Sequence, residues 1–458
     1  MIISQIRSRV APFVPFYRNN LAVAFPVMLT QLGAALVGLI DTIMVGHYST
    51  TDLAAVSFAN GVFFTFMVFA MGAVMAVTPL VGHSFVRRED ERVASLLLNS
   101  LWFTLLLGGL TCLVLAVCVP MMDHMGQDPE VVVAARPYLI MRIVGLIPFL
   151  LFCLEKQFME GLGNTLLALV VTFAINLLNI LLNWVFIFGH WGAPAMGAAG
   201  AGLATMIAWT LLPVVFLLII VAQPHWRKFF LLCRSVRSDR AVVRELFKVG
   251  TPIGLQTTME TVLFTLSFIM VGWISKEALA AHQVTNQVAD FAFMLSLGIS
   301  SATTIRVSHQ YGLGNMQATK MAARASMHLI LVMNTIGALL MITLRDYLPY
   351  LFTEDEQVVE LASQLLIFAG MLQYADGLQC VGAGMLRGVT DVKAPMWITL
   401  VTYLLIALPL GYVLMFPAGL GAVGIWISFV VALTIAAVAF HWRFIWLFRN
   451  TNDTLTGE

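Results

Sequence analysis

Four carboxylates interrupt long apolar stretches of the sequence. Asp41 is the only charged residue in residues 21–46, and Glu260, Asp376 and Asp290 have similarly apolar surroundings. An Asp at the centre of a membrane-spanning helix costs about 2.5–3.5 kcal/mol on insertion scales, so it is retained where it faces a cavity or a partner. These acids are therefore candidate ion or substrate sites. For each acid taken alone, a hydrogen bond that only fixes helix packing remains the alternative, and for Asp290 the two readings are evenly balanced.

A polar helix face could accompany Asp41. The segment "INLLNILLNWVFIFG" contains Asn176, Asn179 and Asn183. The last two are four residues apart and share one helical face. They could orient Asp41 by hydrogen bonds and favour one of its protonation states. The alternative is that they join two helices, by hydrogen bonds that contribute only about 0.6 kcal/mol each on average.

The composition is that of a membrane protein. The 458 residues are 60% hydrophobic and 11% charged, whereas a soluble domain is about 45–50% apolar and about 25% charged. The net charge of +1 gives no basic surface for nucleic acid. The five cysteines lack metal-ligand spacing, and no catalytic triad or phosphate-binding loop is present. We therefore expect neither an enzyme nor a bound cofactor.

Apolar runs indicate how often the chain crosses the bilayer. A helix needs about 20 apolar residues to span the hydrocarbon core, and an open strand would leave backbone groups unpaired there. The sequence predicts an all-α integral membrane protein with twelve transmembrane helices. The runs are 20–46, 52–84, 95–122, 134–158, 165–189, 197–222, 249–273, 279–310, 323–345, 357–386, 394–416 and 420–447.

The basic residues predict the orientation. With the N-terminus inside, only four of the 25 Lys and Arg residues fall on the outer side: Arg136, Arg142, Lys276 and Arg345. Cytoplasmic segments of membrane proteins carry an excess of Lys and Arg. We therefore expect both termini in the cytoplasm.

The sequence also contains an internal repeat. A constant shift along the chain places "IMVG" (Ile43–Gly46) on "IMVG" (Ile269–Gly272), and the same shift places Met159 on Met385. Six helices per half make the two halves parallel repeats. Such repeats are typical of transporters, in which the sites lie near the membrane midplane and the halves rock around them.

The repeat predicts the domain organisation, two pseudo-symmetric six-helix bundles. An N-terminal bundle spans residues 1–222, a basic cytoplasmic linker spans 223–248, and a C-terminal bundle spans 249–458. The acids do not follow the repeat, because Ser267 matches Asp41 and Ala34 matches Glu260. We therefore expect a separate task for the acids of each half.

Several motifs resemble those of a known family. The segments "GLIDTIMVG", "GTPIGLQTTMETVLF", "LNILLNWVFIFG" and "IFAGMLQYADGLQCVGAGMLRG" resemble the multidrug and toxic compound extrusion family, in particular its NorM-type branch. The resemblance extends from about Leu21 to Phe448. It implies a monomeric secondary antiporter of the bacterial inner membrane, which confers antibiotic resistance by exporting organic cation drugs in exchange for Na⁺ or H⁺.

The resemblance also implies residue roles. Asp41 matches the acid of the N-terminal half, a proton or substrate switch, and Asn179 and Asn183 match its partners on the fifth helix. In a water-filled cavity, Asp41 would be neutralised by a proton or cation and release its hold on a cationic drug.

In the C-terminal half, Glu260 and Asp376 match the family's cation site, a possible Na⁺ site. Phe264, four residues after Glu260, matches an aromatic residue beside that cation, as in a cation–π contact. Asp355 matches an acidic position in an outer loop. Asp290 departs from the small polar residue expected there, and it could extend the cation site or change the ion preference.

Two other functions are alternatives to an antiporter. A flippase for lipid-linked precursors, with a related fold, would need several Arg or Lys inside the halves to hold an anionic pyrophosphate, and this chain offers acids instead. A membrane-embedded enzyme or sensor would need a catalytic constellation or an added soluble domain. Of the coupling ions, we expect Na⁺, and H⁺ remains open.

Overall fold

The structure is a computed structural model that describes residues 11–449. In this part of the chain the regular structure is helical, and twelve helices are long and apolar enough to span a membrane. They are α1 (Ala11–Tyr48), α2 (Thr50–Val86), α3 (Asp90–His124), α4 (Pro129–Gly161), α5 (Leu166–Phe188), α6 (Gly197–Ala222), α7 (Arg240–Gly272), α8 (Lys276–Gly312), α9 (Met316–Thr343), α10 (Glu356–Gly388), α11 (Lys393–Met415) and α12 (Ala422–Arg449). Each predicted apolar run coincides with one of these helices, so the predicted fold class is confirmed.

Contacts between helices divide the chain into two compact units. Among the described residues, the N-unit is Leu29–Thr258, and the C-unit combines residues 11–28 with residues 259–449. Helices α1 and α7 therefore contribute to both units. The units are defined by contacts, whereas the predicted domain boundaries follow the sequence repeat and stay a prediction.

In both shared helices, the chain passes from one unit to the other shortly after a proline. Pro26 precedes the division in α1, and Pro252 precedes the division in α7. Proline removes a helical hydrogen bond and clashes with the preceding turn, so it kinks a helix. The shift that superimposes the two "IMVG" segments also superimposes these prolines, and the repeat therefore includes this feature.

Specific contacts hold each crossing segment in its unit. In the C-unit, Asn20 Nδ2 of α1 donates to Ala322 O at 3.1 Å and to Ser326 Oγ at 2.9 Å. In the N-unit, Gly254 of α7 lies so close to α2 that a Cβ atom would be 2.6 Å from Phe69 O. A larger residue at position 254 would force these helices apart.

Helices α4 and α10 are central in their units. Helix α4 packs against α2, α3 and α6, and α10 packs against α8, α9 and α12. Equivalent hydrogen bonds occur in both units: Thr78 Oγ1 donates to Gln157 O at 3.0 Å, and Thr304 Oγ1 donates to Gly384 O at 3.1 Å. Gln157 of α4 is therefore equivalent to Gly384 of α10. These two residues are one position further apart in the sequence than the equivalent residues Thr78 of α2 and Thr304 of α8, so the shift from α4 to α10 is one residue longer than the shift from α2 to α8.

The longer shift corrects one sequence match. Asn164 N donates to Met159 O, and Asp391 N donates to Leu386 O, each at 2.9 Å. Met159 therefore corresponds to Leu386, and its predicted match with Met385 is wrong by one residue. One additional residue between α8 and α10 accounts for the change, because a connection can absorb an insertion that a helix cannot.

Candidate functional site

Asp41 of α1 lies against the polar face of α5 in the N-unit. Asn183 Nδ2 donates to Asp41 Oδ1 at 2.5 Å and to Asn179 Oδ1 at 3.3 Å. Both asparagines are buried. Asn183 therefore contacts the carboxylate directly, whereas Asn179 is linked to it through Asn183.

Each of the two amides also has one buried polar atom that is not hydrogen-bonded. Asn179 Nδ2 and Asn183 Oδ1 are buried and have no hydrogen-bond partner among the described residues. A buried polar group left unpaired costs about 1–3 kcal/mol. Asn179 Nδ2 is a donor and Asn183 Oδ1 is an acceptor, so a polar ligand beside Asp41 could accept a hydrogen bond from the first or donate one to the second.

Arg142 of α4 lies inside an aromatic cage of the N-unit. Its guanidinium carbon is 4.1 Å from the ring centroid of Trp209, 4.6 Å from that of Phe63 and 5.9 Å from that of Tyr138. Aromatic faces attract cations within about 6 Å. The charge of Arg142 also interacts with that of Asp41. The protein therefore supplies a positive charge, that of Arg142, near the carboxylate of Asp41.

The sequence alone placed Arg142 only among the basic residues of the outer side. The structure places it within α4, with 7% of its surface exposed. The signal is present in "YLIMRIVGLIPFLLF" (residues 138–152), where Arg142 is the only charge. A charge inside an apolar run is as informative for a base as for an acid.

The acids of the C-unit are close enough to interact. Gln379 Nε2 of α10 donates to Glu260 Oε1 of α7 at 3.0 Å. Asp376 lies three residues before Gln379, on the same face of α10. The charge of Asp376 interacts with those of Glu260 and of Asp290 on α8. The structure therefore brings together three of the predicted site residues, and it adds Gln379, which was not predicted from the sequence.

The charges acting on Asp376 are both negative. Carboxylates that are close together repel, and a bound cation or proton relieves that repulsion. Among the described residues, no three His, Cys, Asp or Glu side chains are grouped as a metal site. A Na⁺ ion here would therefore need amide, carbonyl or water oxygens in addition to carboxylates.

Comparison with known proteins decides the family. The MatE sequence profile matches two segments of the chain, residues 26–185 and 252–413. The shift of the internal repeat also relates the starts of these two segments. The chain belongs to the MatE family. This is the multidrug and toxic compound extrusion family that the motifs resemble.

Similar proteins cover nearly the whole chain. A probable multidrug resistance protein NorM of Rhizobium meliloti (strain 1021) is 34% identical over 441 residues, 95% of this chain and 94% of the relative. The multidrug resistance protein MdtK of Edwardsiella ictaluri (strain 93-146) is 31% identical, over 94% of this chain and 96% of the relative.

A solved structure shares the fold. It is described as the outward-facing conformation of a multidrug resistance MATE family transporter of the MOP superfamily. It covers 95% of this chain and 97% of its own, with a TM-score of 0.87 and 19% identity. The chain is thus a membrane transporter of the MATE family and not an enzyme.

Two residues that the family resemblance singles out have other contacts in this MATE transporter. The ring of Phe264 packs edge-on against Phe429 of α12, with centroids 5.4 Å apart. Asp355 caps the N-terminus of α10, because its Oδ1 accepts from Gln357 N at 3.0 Å and from Val358 N at 3.5 Å. Helix capping alone is sufficient to explain an acid at position 355.

Ser267, the C-unit residue equivalent to Asp41, belongs to a hydrogen-bond network without charged groups. Ser267 Oγ donates to Phe264 O at 2.6 Å and lies 3.2 Å from His282 Nε2. Trp426 Nε1 donates to His282 Nδ1 at 3.1 Å. Because Nδ1 accepts, Nε2 carries the proton that bonds Ser267 Oγ. The side chains of this uncharged network are fully buried, and the donor and the acceptor of each hydrogen bond are defined.

Proposed function

We propose that this MATE transporter exports organic cations in exchange for Na⁺, with H⁺ as the alternative coupling ion. The observation that supports this most directly is the acidic group of the C-unit, in which Asp376 interacts with Glu260 and Asp290. Carboxylate oxygens are hard ligands and suit a hard cation such as Na⁺. The relatives named multidrug resistance proteins are bacterial.

In the proposed mechanism, ion and drug favour different conformations of the transporter. Binding of Na⁺ or a proton neutralises carboxylates that otherwise attract the cationic drug. The drug then loses its counter-charge and leaves on the outer side. Coupling follows because each ligand shifts the equilibrium between inward- and outward-facing states by its differential affinity for them.

We assign the drug to a site in the N-unit beside Asp41. Aromatic faces bind organic cations, and Trp209 and Phe63 already surround the Arg142 cation. Neutralisation of Asp41 would remove the negative charge of this site and leave the positive charge of Arg142. A bound cationic drug would then be repelled, so Asp41 acts as the switch for its release.

We also propose a location. The relatives suggest a bacterial inner membrane, and the distribution of Lys and Arg predicts cytoplasmic termini. Attachment of a membrane-impermeant label to single cysteines introduced near residues 88 and 126 tests this. Labelling from outside the cell is expected at position 126 and not at position 88.

Transport in proteoliposomes tests the proposed function. The purified protein is reconstituted, Na⁺ and pH gradients are imposed separately, and ethidium movement is followed. A Na⁺ gradient alone should drive ethidium movement. If only the pH gradient does so, the coupling ion is H⁺ and antiport stands. If neither gradient moves any organic cation, the proposed antiport is wrong.

The flippase alternative receives little support from the side chains. A pyrophosphate group would need several accessible bases near the midplane. Arg142 of the N-unit is buried, and two aromatic rings lie within 4.6 Å of its guanidinium carbon. Its charge also interacts with Asp41. This arrangement favours a cationic substrate over an anionic one.

A further inference from the structure

A groove of about 510 Å³ opens between α9 and the end of α12 in the C-unit. Three basic residues lie along it: Lys320 and Arg324 of α9 and Arg449 of α12. Its walls include apolar side chains such as Met327 and Phe444. The groove thus combines a concentrated positive charge with an apolar surface, at the predicted cytoplasmic end of the unit.

The positive charge of this groove lacks a counter-charge from the described residues. No acidic side chain lines the groove, and none of its three bases forms an ion pair within residues 11–449. The neighbouring Arg443 differs, because its Nε is 2.7 Å from Asp391 Oδ2. The described polar contact of Lys320 Nζ is a long one, 3.5 Å to Phe448 O. The groove is therefore suited to an anionic ligand.

The surface beside the groove is apolar and exposed. Trp442 and Ile445 of α12 each expose 66% of their surface, and Trp446 exposes 42%. Tryptophan is enriched where a membrane protein meets the headgroup region. Basic pockets between transmembrane helices on the cytoplasmic side bind lipid headgroups. An anion with apolar chains would use both the basic and the apolar part of the groove, whereas free phosphate would use only the basic part.

His441 supplies an independent indication of a ligand. It lines the groove, and its Nδ1 lies 2.7 Å from Ala437 O. Because a carbonyl oxygen only accepts, Nδ1 must donate to it. His441 Nε2 is buried and has no partner among the described residues. In the neutral ring, Nε2 is an acceptor for a headgroup hydroxyl, and in the charged ring it can donate to a phosphate.

We propose that this groove binds an anionic phospholipid. The phosphate is held by Lys320, Arg324 and Arg449, and an acyl chain lies against Phe444 and Ile445. The interaction is independent of the transported ion and drug, so it can be tested separately from the proposed antiport.

Native mass spectrometry of the full-length protein tests this proposal. The protein in detergent is titrated with phosphatidylglycerol, with phosphatidylcholine as the zwitterionic lipid and with inorganic phosphate as the free anion. We expect preferential binding of phosphatidylglycerol. The K320Q/R324Q variant should bind it roughly 25-fold more weakly, about fivefold for each charge lost.

The matched control is K393Q/R240Q, which removes two exposed bases from the same predicted side but outside the groove. It should bind the lipid like the wild type. If K320Q/R324Q fails to fold, R324Q alone serves, because Arg324 is exposed. Equal binding of phosphatidylcholine, unchanged binding by the groove variants, or displacement of the lipid by equimolar phosphate would each overturn the proposal.

Discussion

The N-unit and the C-unit place charges within their helices in opposite ways. In the N-unit, the carboxylate of Asp41 interacts with the guanidinium of Arg142. In the C-unit, Asp376 interacts with two further carboxylates, Glu260 and Asp290. The first unit contains its own counter-charge, whereas the second attracts one from outside. A duplicated scaffold can therefore hold two electrostatically distinct groups of charges, and the group in the C-unit is the better suited to an inorganic cation.

The central helices show where the two units diverge. Under the shift that relates α4 to α10, Arg142 of α4 corresponds to Ala369 of α10, and Asp376 of α10 corresponds to Phe149 of α4. The ring of Phe149 stacks on Trp209, with centroids 4.2 Å apart. Where the C-unit has a carboxylate, the N-unit therefore has a ring that supports the cage around Arg142. Equivalent positions of one scaffold thus serve an anionic site and an aromatic one.

The largest expected effect concerns the acids of the C-unit. D376N and E260Q should each lower Na⁺-driven drug movement by more than about tenfold, because each change removes a negative charge that attracts the ion, and removing one partner of a buried charge pair costs about 3–5 kcal/mol. Each variant is reconstituted, and its response to a Na⁺ gradient is measured against the wild type. If both variants retain wild-type Na⁺ coupling, the difference proposed between the units is wrong, because the C-unit acids then do not bind the coupling ion.

The matched control for these variants is D128N. Asp128 is an exposed helix cap at the start of α4, where its Oδ1 accepts from Glu130 N at 2.9 Å. Its replacement removes one negative charge outside both candidate sites. We expect wild-type Na⁺ coupling, with at most a small loss of stability from the missing cap.

Removal of the N-unit acid should have the next largest effect. D41N keeps the shape of the side chain and can still accept from Asn183, so it should fold and insert. It should lose most drug export, because the site then carries only the positive charge of Arg142. Ethidium efflux from cells at equal expression is the measurement. Wild-type efflux by D41N would show that Asp41 is not the switch.

The fold could be predicted from the sequence because the bilayer leaves few choices. Apolar runs of sufficient length must be helical, so all twelve helices were identified. The helices extend beyond these runs, for example at α7, which begins at Arg240, nine residues before the predicted run at 249. Polar residues outside the hydrocarbon core continue a helix without an apolar signal. The division of α1 and α7 between the units depends on tertiary contacts, which no local pattern contains.

The candidate site was only partly predictable. Asp41, Glu260 and Asp376 stand out because an isolated charge in an apolar run is costly, and the spacing of Asn179 and Asn183 indicated a shared face. The cage around Arg142 was not predictable, because Phe63 and Trp209 are distant in sequence and resemble ordinary packing residues. Gln379 was missed for a similar reason, since an uncharged amide in α10 gives no strong signal.

Replacement of Arg142 should have an intermediate effect. If it is the counter-charge of Asp41, R142Q should reduce drug export less than D41N does. Interacting residues have coupling energies of about 0.5–3 kcal/mol, so D41N/R142Q should differ from the sum of its single variants. The rate of ethidium movement in proteoliposomes measures all four proteins. Strict additivity would mean that the two charges act independently.

R142K is the matched variant for this cycle. Lysine keeps the positive charge but loses the planar group that stacks on Trp209. A variant that exports drugs like the wild type would assign the role of Arg142 to its charge. A variant that behaves like R142Q would instead assign it to the fit of the guanidinium in the aromatic cage.

The smallest expected effect concerns the C-unit position equivalent to Asp41, where Ser267 takes part in the neutral network with His282 and Trp426. W426F removes the donor to His282 Nδ1 and leaves a buried acceptor unpaired, at a cost of about 1–3 kcal/mol. Thermal unfolding in detergent should therefore shift to lower temperature, while W442F, at a position with 66% exposure, should cause no shift. Na⁺ coupling should be unchanged in both variants, because the network contains no charge that an ion would neutralise. If W426F instead has an unshifted unfolding temperature and weaker Na⁺ coupling, this network lies in the ion pathway. The proposed division of tasks between the two units would then be wrong.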